Sequence, residues 1–172
     1  MRITMETSRL NLRPFTNEDA FSMFNNWASD KEVCKYVTWN AHESIETTKE
    51  IISLWLEQYK KPERINFAIV LKETKELIGG IDVVGYLEGT PVIGYVLSRK
   101  YWNHGYMSEA CQKVIELLFD LGYEKIIIDA VKENIASNKV IEKCGGIYEK
   151  TYTETFDIKN MTVQINRYLI KK

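Results

Sequence analysis

The sequence predicts one domain of the α/β (α+β) class, in which about seven strands form a twisted mixed sheet flanked by about four helices. Three observations lead to this prediction. The chain has 172 residues, close to the usual size of a single domain. Its hydrophobic period changes repeatedly between the values typical of strands and of helices. No repeat, low-complexity tract or Gly/Ser/Pro-rich linker divides it, so residues 1–172 are expected to form one unit.

The N-terminal part predicts one strand and two helices. Residues Arg9–Phe15 alternate in hydrophobicity as a short strand does. Thr16, followed by acidic residues, predicts a helix that runs to about Trp27. Ser44 is a favourable N-cap for a second helix, whose apolar residues recur at helical spacing as far as Tyr59. This second helix should cover one face of the sheet.

Residues 65–97 show no helical period and predict an antiparallel meander. Three β-rich runs are separated by a Lys/Glu turn and a Gly-Thr-Pro turn: INFAIVLK, ELIGGIDVVGYLEG and TPVIGYVLS. A helical stripe follows from Met107 to Leu121, ending at Gly122, and Lys125–Val131 then has the composition of a buried strand. Strand, helix and strand in this order predict a right-handed crossover between parallel neighbours.

The C-terminal part predicts a short helix and two strands. The helix covers about Ala136–Cys144 and is capped by Gly145. The strands lie near Ile147–Phe156 and Met161–Leu169. With the earlier elements, they complete the seven strands and four helices of the prediction.

Composition excludes several classes of protein. The 23 basic and 24 acidic residues give a net charge of −1, which lacks the broad positive field used by nucleic-acid-binding proteins. The sequence has neither the apolar stretch of a secretory signal nor a segment long enough to cross a bilayer, so a cytoplasmic protein without membrane contacts is expected. The three cysteines lack metal-ligand spacing and are predicted to be free thiols, and no metal is expected.

The most informative segment is VIGYVLSRKYWNHGYMSEACQKVIELL, in which a predicted strand enters a glycine-containing loop that opens into a helix. The first amides of a helix have no partners within it and lie at the positive end of its dipole. The backbone from Gly105 to Ser108 could therefore bind a pyrophosphate. The alternative is an ordinary strand-to-helix turn. Two other phosphate loops, G-x-x-x-x-G-K-[ST] and G-x-G-x-x-G, do not occur.

A second segment, ENIASNKVIEKCGG, places polar side chains after the predicted parallel strand. Asn134, Ser137 and Asn138 would lie at the C-terminal end of that strand, where ligands of α/β sheets commonly bind. They could hydrogen-bond to a cofactor. The alternative is helix capping, for which Asn and Ser are preferred residues.

Together the two segments resemble the GNAT superfamily of N-acetyltransferases, and within it the ribosomal-protein N-terminal acetyltransferase (RimJ/RimL-like) branch. Nearly the whole chain takes part, from TSRLNLRPF to VQINRYLI. The matching residues occur in the order seen in that branch: Gly94-Tyr95-Val96-Leu97, Tyr101-Trp102, Gly105-Tyr106, Ser108-Glu109-Ala110, Asn134, Ser137, Val140, Glu142, Lys143 and Gly145. Asn103 and Met107 depart from the pattern, which has glycine and a small residue at these positions.

The resemblance implies acetyl-CoA as cosubstrate, bound in a slot between splayed central parallel strands. It also assigns roles to individual residues. The backbone of Val96, Leu97 and Ser98 would pair with the pantetheine arm, and Ser137 would supply a proton to the departing thiolate. The remaining cofactor contacts would come from His104, Gly105, Tyr106, Met107, Ser108, Asn134 and Asn138. Tyr148 and Tyr152 are alternative proton donors.

The sequence leaves the acceptor and the base open. A protein N-terminus or a small-molecule amine fits relatives of this branch, and a homodimer through the terminal strands is an open alternative. Asp82, Glu88 and Asp129 lie on or near predicted central strands and are the carboxylates to consider as base. His42 is interpreted as a surface residue. The rival hypothesis, motivated by Met107 and the unassigned base, is an acetyl-CoA-binding or sensing module without turnover.

Overall fold

A computed structural model describes residues 3–172 of the chain. Within these residues it contains eight strands and four α-helices. The strands are β1 (Met5–Glu6), β2 (Leu10–Arg13), β3 (Asn66–Leu71), β4 (Leu77–Leu87), β5 (Thr90–Leu97), β6 (Lys125–Val131), β7 (Ile147–Phe156) and β8 (Met161–Lys171). The helices are α1 (Ala20–Met23), α2 (Ile45–Gln58), α3 (Tyr106–Asp120) and α4 (Ile135–Lys143).

The strands form one mixed sheet in the order β1-β2-β3-β4-β5-β6-β8-β7. The predicted meander is confirmed, because β3, β4 and β5 pair as antiparallel neighbours. Strands β5 and β6 are parallel and register at only two positions of the described chain, Val92 with Ile127 and Ile93 with Ile128. Since β5 continues for four residues beyond Ile93, the two strands part there. The expected splay is confirmed.

Helices cover both faces of the sheet. On one face, α3 and α4 pack against alternate strand residues such as Phe67 and Ile69 of β3. On the other face, α1 and α2 pack against the intervening residues Ala68 and Val70. All six residues of β3 are therefore buried. Burial of one large aliphatic side chain contributes about 1.5–3 kcal/mol, so this two-sided core holds the central strands in place.

The N-terminal part differs from the prediction in two details. Strand β1 was not predicted, because two residues are too few to show an alternating pattern. The first helix is also irregular: a 3₁₀ turn precedes α1, and a π turn over Phe24–Ala28 follows it. The amide of Ser29 bonds to the Phe24 carbonyl at 3.2 Å, which gives the wider turn. This turn buries Trp27 against the sheet.

The prediction that His42 lies on the surface is wrong. Its imidazole is buried, with Nδ1 2.7 Å from Thr48 Oγ1 of α2. The His42 amide donates to the Ala28 carbonyl at 2.7 Å, and the ring packs against Trp39. Burial lowers the pKa of His42, which favours the neutral ring. His42 therefore anchors the segment that precedes α2.

The three cysteines are buried free thiols, as predicted. Cys111 and Cys144 belong to the core beneath α3, where they pack as small apolar side chains. Among residues 3–172, no three His, Cys, Asp or Glu side chains are grouped so that they could hold a metal ion. No helix in the described part of the chain has both the length and the apolar character that crossing a membrane requires.

Candidate active site

The loop between β5 and α3 ends in a set of free backbone donors. Gly105 is the N-cap of α3 and has a φ of 78°, a left-handed conformation that glycine adopts without steric cost. Within residues 3–172, the amides of Gly105 to Ser108 donate to no protein acceptor. These donors lie at the positive end of a 15-residue helix. The arrangement is suited to an anion such as a phosphate.

Asn103 and Met107, the two residues that depart from the family pattern, are both compatible with the conformation of this loop. Asn103 has a φ of 63°, and asparagine is among the few residues that enter this region readily in place of glycine. The Met107 side chain is 5% exposed and belongs to the main core together with Ala110 and Cys111. It therefore packs beneath the helix, and its size does not narrow the space in front of the loop amides.

Two cations stand beside Gly105, and sequence reasoning missed both. A Cβ placed on Gly105 would lie 3.4 Å from Arg9 Nη2 and 3.9 Å from Lys143 Nζ. Arg9 Nη1 also donates to the His104 carbonyl at 2.9 Å, and its guanidinium lies 4.3 Å from the centroid of the Tyr106 ring. The positive field at the helix start is thus reinforced from the segment before β2 and from α4. Both cations belong to motifs noted in the sequence, but their convergence depends on the fold.

Arg9 is held in this position by Glu109, in the first turn of α3. The Glu109 carboxylate accepts hydrogen bonds from Thr7 Oγ1 at 2.6 Å, Ser8 Oγ at 3.0 Å, the Arg9 amide at 2.9 Å and Arg9 Nε at 2.7 Å. Burial acts to raise the pKa of Glu109, but these four hydrogen bonds outweigh it and lower the pKa to about 2. Glu109 therefore joins the N-terminal segment to the start of α3.

We expect Glu109→Gln to destabilise the protein by about 1–3 kcal/mol at neutral pH, because charged hydrogen bonds are lost while their donors remain. The folded pKa of Glu109 lies below its ordinary value of 4.5. The contribution of the carboxylate is therefore complete above about pH 4.5 and is lost as the pH falls towards 2. Urea unfolding at several pH values measures the difference between the two proteins.

The matched control is Glu116→Gln on the same helix, because Glu116 makes only an exposed pair with Lys113. Such a pair is worth about 0.5 kcal/mol or less. A difference between wild type and Glu109→Gln that does not shrink between pH 4.5 and pH 2 would contradict the role assigned to Glu109.

The end of β5 offers one free donor to the slot. The Ser98 amide donates to the Ile78 carbonyl at 2.7 Å, so it faces β4. Since hydrogen-bonding directions alternate along a strand, the Leu97 amide faces the side of β6. The Leu97 carbonyl on that side accepts a hydrogen bond from Trp102 Nε1 at 2.9 Å. Of the three predicted backbone residues, Leu97 thus presents a donor where β5 and β6 have parted.

Ser137 lies across the slot, next to the partly buried Tyr95. Its Oγ is 3.0 Å from Tyr95 Oη, which also donates to the Ser137 carbonyl at 3.3 Å. This bond links β5 to α4 where the strands no longer pair. Burial raises the pKa of Tyr95, so its phenol keeps its proton. The structure therefore gives Ser137, on α4, a protonated partner on β5.

The two predicted asparagines have different surroundings. Asn134 is the N-cap of α4, and its Oδ1 accepts from the Ser137 amide at 3.3 Å, so the capping role is confirmed. Its side-chain amide nitrogen donates to no acceptor within residues 3–172. Asn138 is buried and makes four hydrogen bonds within the protein, to the carbonyls of Val131 and Asn134 and from Asn166 and Tyr168. Cofactor contact remains a prediction for both residues.

The remaining predicted residues are His104, at the edge of the loop amides, and three carboxylates outside the loop. The His104 ring is exposed, stacks on Tyr106, and has Nδ1 2.6 Å from the Trp102 carbonyl. Glu88 occupies an exposed turn with a φ of 48°, outside the slot. Asp82 and Asp129 lie on β4 and β6, and each pairs with an arginine.

The sequence matches the family described as Acetyltransferase (GNAT) domain over residues 9–147. It is 33% identical over 144 residues to Uncharacterized N-acetyltransferase YoaA of Bacillus subtilis (strain 168), covering 82% of this chain and 81% of that protein. Most of the chain, including both halves of the site, therefore takes part in the match.

The fold is similar to that of solved acetyltransferases. A GNAT-family acetyltransferase from Bacillus anthracis aligns with a TM-score of 0.85 and 28% identity over 98% of each chain. The ribosomal-protein-S5-alanine acetyltransferase from Vibrio fischeri aligns with a TM-score of 0.82 and 18% identity, over 98% of this chain and 96% of that one. At that identity the second likeness concerns the fold alone.

Proposed function

We propose that this chain, which belongs to the GNAT acetyltransferase family, transfers the acetyl group of acetyl-CoA directly to a primary amine in a ternary complex. Membership of the family makes the chain an acetyltransferase that uses acetyl-CoA. The acceptor, the mechanism and the roles of individual residues are proposals. The observation that carries them is the convergence of free loop amides, two cations and Ser137 around the gap where β5 and β6 part.

The residues around the slot between β5 and β6 are suited to binding acetyl-CoA. The amides of Gly105 to Ser108 would hold the pyrophosphate, with Arg9 and Lys143 supplying two positive charges beside them. Gly105 leaves open the space that a side chain would fill. The Leu97 amide and the free amide nitrogen of Asn134 would hold the pantetheine arm from the two sides of the gap. His104 would lie at the edge, within reach of a phosphate.

Bound acetyl-CoA supplies an acetyl thioester, whose carbonyl carbon is the electrophile. The backbone donors hold it in place, and positioning of the two substrates contributes much of the rate. The Ser137 hydroxyl holds the proton that the departing sulfur requires. Tyr95 orients that hydroxyl through the bond of 3.0 Å and can return a proton to it. Ser137 is thus assigned as the proton donor and Tyr95 as a positioning residue.

We place the chain in the ribosomal-protein N-terminal acetyltransferase branch because of the order of its motifs from Gly94 to Gly145. The acceptor would then be a protein N-terminus or a small-molecule amine. One of the two reasons for considering an acetyl-CoA-binding module without turnover is weakened, since Met107 packs into the core and leaves the loop amides open.

The proposal predicts that the purified protein releases thiol from acetyl-CoA only when an amine acceptor is present. The measurement combines a thiol-reactive dye with mass spectrometry of the acceptor, for peptides with free N-termini, aromatic amines and polyamines. An increase of 42 Da per acceptor accompanying each thiol would be expected, as acetyl replaces hydrogen. Saturable acetyl-CoA binding without acceptor-dependent release across the panel would contradict it.

A further inference from the structure

A cleft of about 410 Å³ opens on the sheet face that carries α2. It lies between the C-terminal half of α2, the segment before β3, and β4. Two aromatic rings, Trp55 and Tyr86, and two carboxylates, Asp82 and Glu63, contribute to its walls. Lys61 and Arg64 also line the cleft. Its volume is within the range of small-molecule sites, about 300–1,000 Å³.

One oxygen of Asp82 is held and the other is free. Asp82 Oδ2 accepts from Arg64 Nη2 at 3.0 Å, and Arg64 Nη1 is fixed by the Val83 carbonyl at 2.9 Å. Within residues 3–172, Oδ1 accepts no hydrogen bond. The Asp82 side chain is 23% exposed, so a ligand can reach this carboxylate.

The free oxygen lies beside the point where the slot begins. Asp82 pairs with Gly94 across β4 and β5, and a Cβ on Gly94 would be 3.7 Å from Asp82 Oδ1. Gly94 directly follows Ile93, the last residue of β5 that registers with β6. Leu97, the proposed pantetheine donor, is three residues further along the strand, about 10 Å away. Asp82 therefore connects the cleft to the near end of the acetyl-CoA slot.

The rival carboxylate has no free oxygen. Asp129 Oδ1 accepts from Arg167 Nε at 2.9 Å, and Asp129 Oδ2 accepts from Arg167 Nη2 at 2.7 Å and from Tyr152 Oη at 2.9 Å. This network ties β6 to β7 and β8. Both oxygens of Asp129 are therefore already engaged in hydrogen bonds within the protein, unlike Asp82 Oδ1.

We propose that the cleft binds the acceptor, a primary amine with a compact aromatic or apolar body, and that Asp82 Oδ1 accepts the proton of its ammonium group. The inference rests on the proposed function and adds to it the acceptor site, the acceptor class and the base. Trp55 and Tyr86 face the body of the amine, since aromatic walls attract both apolar groups and cations.

Acetyl transfer begins with the loss of a proton from the ammonium group. The carboxylate takes one proton from R–NH₃⁺ and becomes a carboxylic acid, leaving a neutral amine with a lone pair. That lone pair forms the N–C bond to the acetyl carbon as the C–S bond breaks and its electron pair leaves on sulfur. Sulfur takes the proton of the Ser137 hydroxyl, and the acylated nitrogen gives up its second proton, which replaces the one that Ser137 lost. The products are an amide, a thiol and one proton released to solvent. Burial raises the pKa of Asp82 against the opposing effect of Arg64, which makes the carboxylate a better base.

The test compares phenethylamine with phenylalanine amide, two probes with the same aromatic body. An aliphatic amine has a pKa near 10.4 and an α-amine one of about 7.7–8.0, so phenethylamine depends more strongly on a base at pH 7. Asp82→Asn should lower kcat/KM about 30-fold for phenethylamine and about threefold for phenylalanine amide. Asp129→Asn makes the same change in the rival carboxylate and should leave the ratio between the two amines unchanged.

A second readout does not depend on turnover. Titration calorimetry in the presence of CoA should show that Asp82→Asn weakens phenethylamine binding about tenfold, or about 1.4 kcal/mol. Thermal unfolding of each variant verifies that the fold is retained. Equal losses for both amines, or unchanged phenethylamine binding, would overturn the inference. Binding that depends on Asp82 without acetyl transfer to any amine would overturn the proposed function but keep the cleft as an amine site.

Discussion

Replacing Ser137 by alanine is expected to lower kcat about a hundredfold with saturating acetyl-CoA, because the departing thiolate loses its proton donor. The KM for acetyl-CoA should change by less than about threefold, since the proposed phosphate contacts come from the backbone of another loop. Steady-state thiol release with a saturating amine measures both quantities. The exposed Ser53→Ala change in α2 is the matched control and should leave kcat unaltered.

The contact between Ser137 and Tyr95 allows a second test of the role of Ser137, with a double-mutant comparison. Tyr95→Phe removes only the hydroxyl that lies 3.0 Å from Ser137 Oγ. If Tyr95 acts through Ser137, Tyr95→Phe lowers kcat in the wild-type background and has no further effect in Ser137→Ala. Additive losses would show that Tyr95 acts independently. An unchanged kcat for Ser137→Ala would exclude Ser137 as the proton donor.

Replacing Gly79 by alanine should destabilise the protein by about 2–3 kcal/mol, because β4 and β5 approach too closely there for a side chain. The added Cβ would lie far inside contact distance of the Val96 carbonyl oxygen and 3.2 Å from Leu97 Cα. Relief of this clash would move the strand edge proposed to hold pantetheine. The KM for acetyl-CoA should therefore rise together with the loss of stability.

Gly85→Ala is the matched control for stability, since a Cβ on Gly85, also on β4, would meet no atom within 4 Å. Thermal unfolding compares the two variants, and about 2–4 °C per kcal/mol is expected for a domain of this size. If Gly79→Ala unfolds at the temperature of Gly85→Ala, the tight contact between β4 and β5 does not exist in solution.

The sequence predicted the regular elements well where their periodicity is sustained. Lys125–Val131 and Ile147–Phe156 have the predicted bounds because uninterrupted β-forming runs end at clear turn or helix signals. His42 was misplaced because its burial depends on Thr48 and on the Ala28 carbonyl, which the local pattern does not include. Tertiary contacts of this kind override a prediction of burial made from the local sequence pattern.

The geometry of the candidate site was easier to predict from sequence where it depends on backbone than where it depends on distant side chains. The loop amides follow from a glycine before a helix, and Ser137 from a motif on the next helix. Arg9 and Glu109 are 100 residues apart in sequence, so their bond follows only from the fold. Asp82 keeps a free carboxylate oxygen and Asp129 does not. This difference depends on the oxygens to which Arg64 and Arg167 donate hydrogen bonds. A single sequence does not contain that information.

Hydrogen exchange with and without acetyl-CoA tests the central claim most directly, because it reports on the backbone groups proposed to bind the cosubstrate. The proposed site predicts that acetyl-CoA slows exchange at Leu97 and at the amides of Gly105 to Ser108, with smaller changes at the start of α4. Saturable binding that leaves these amides unchanged and protects another part of the sheet would contradict it.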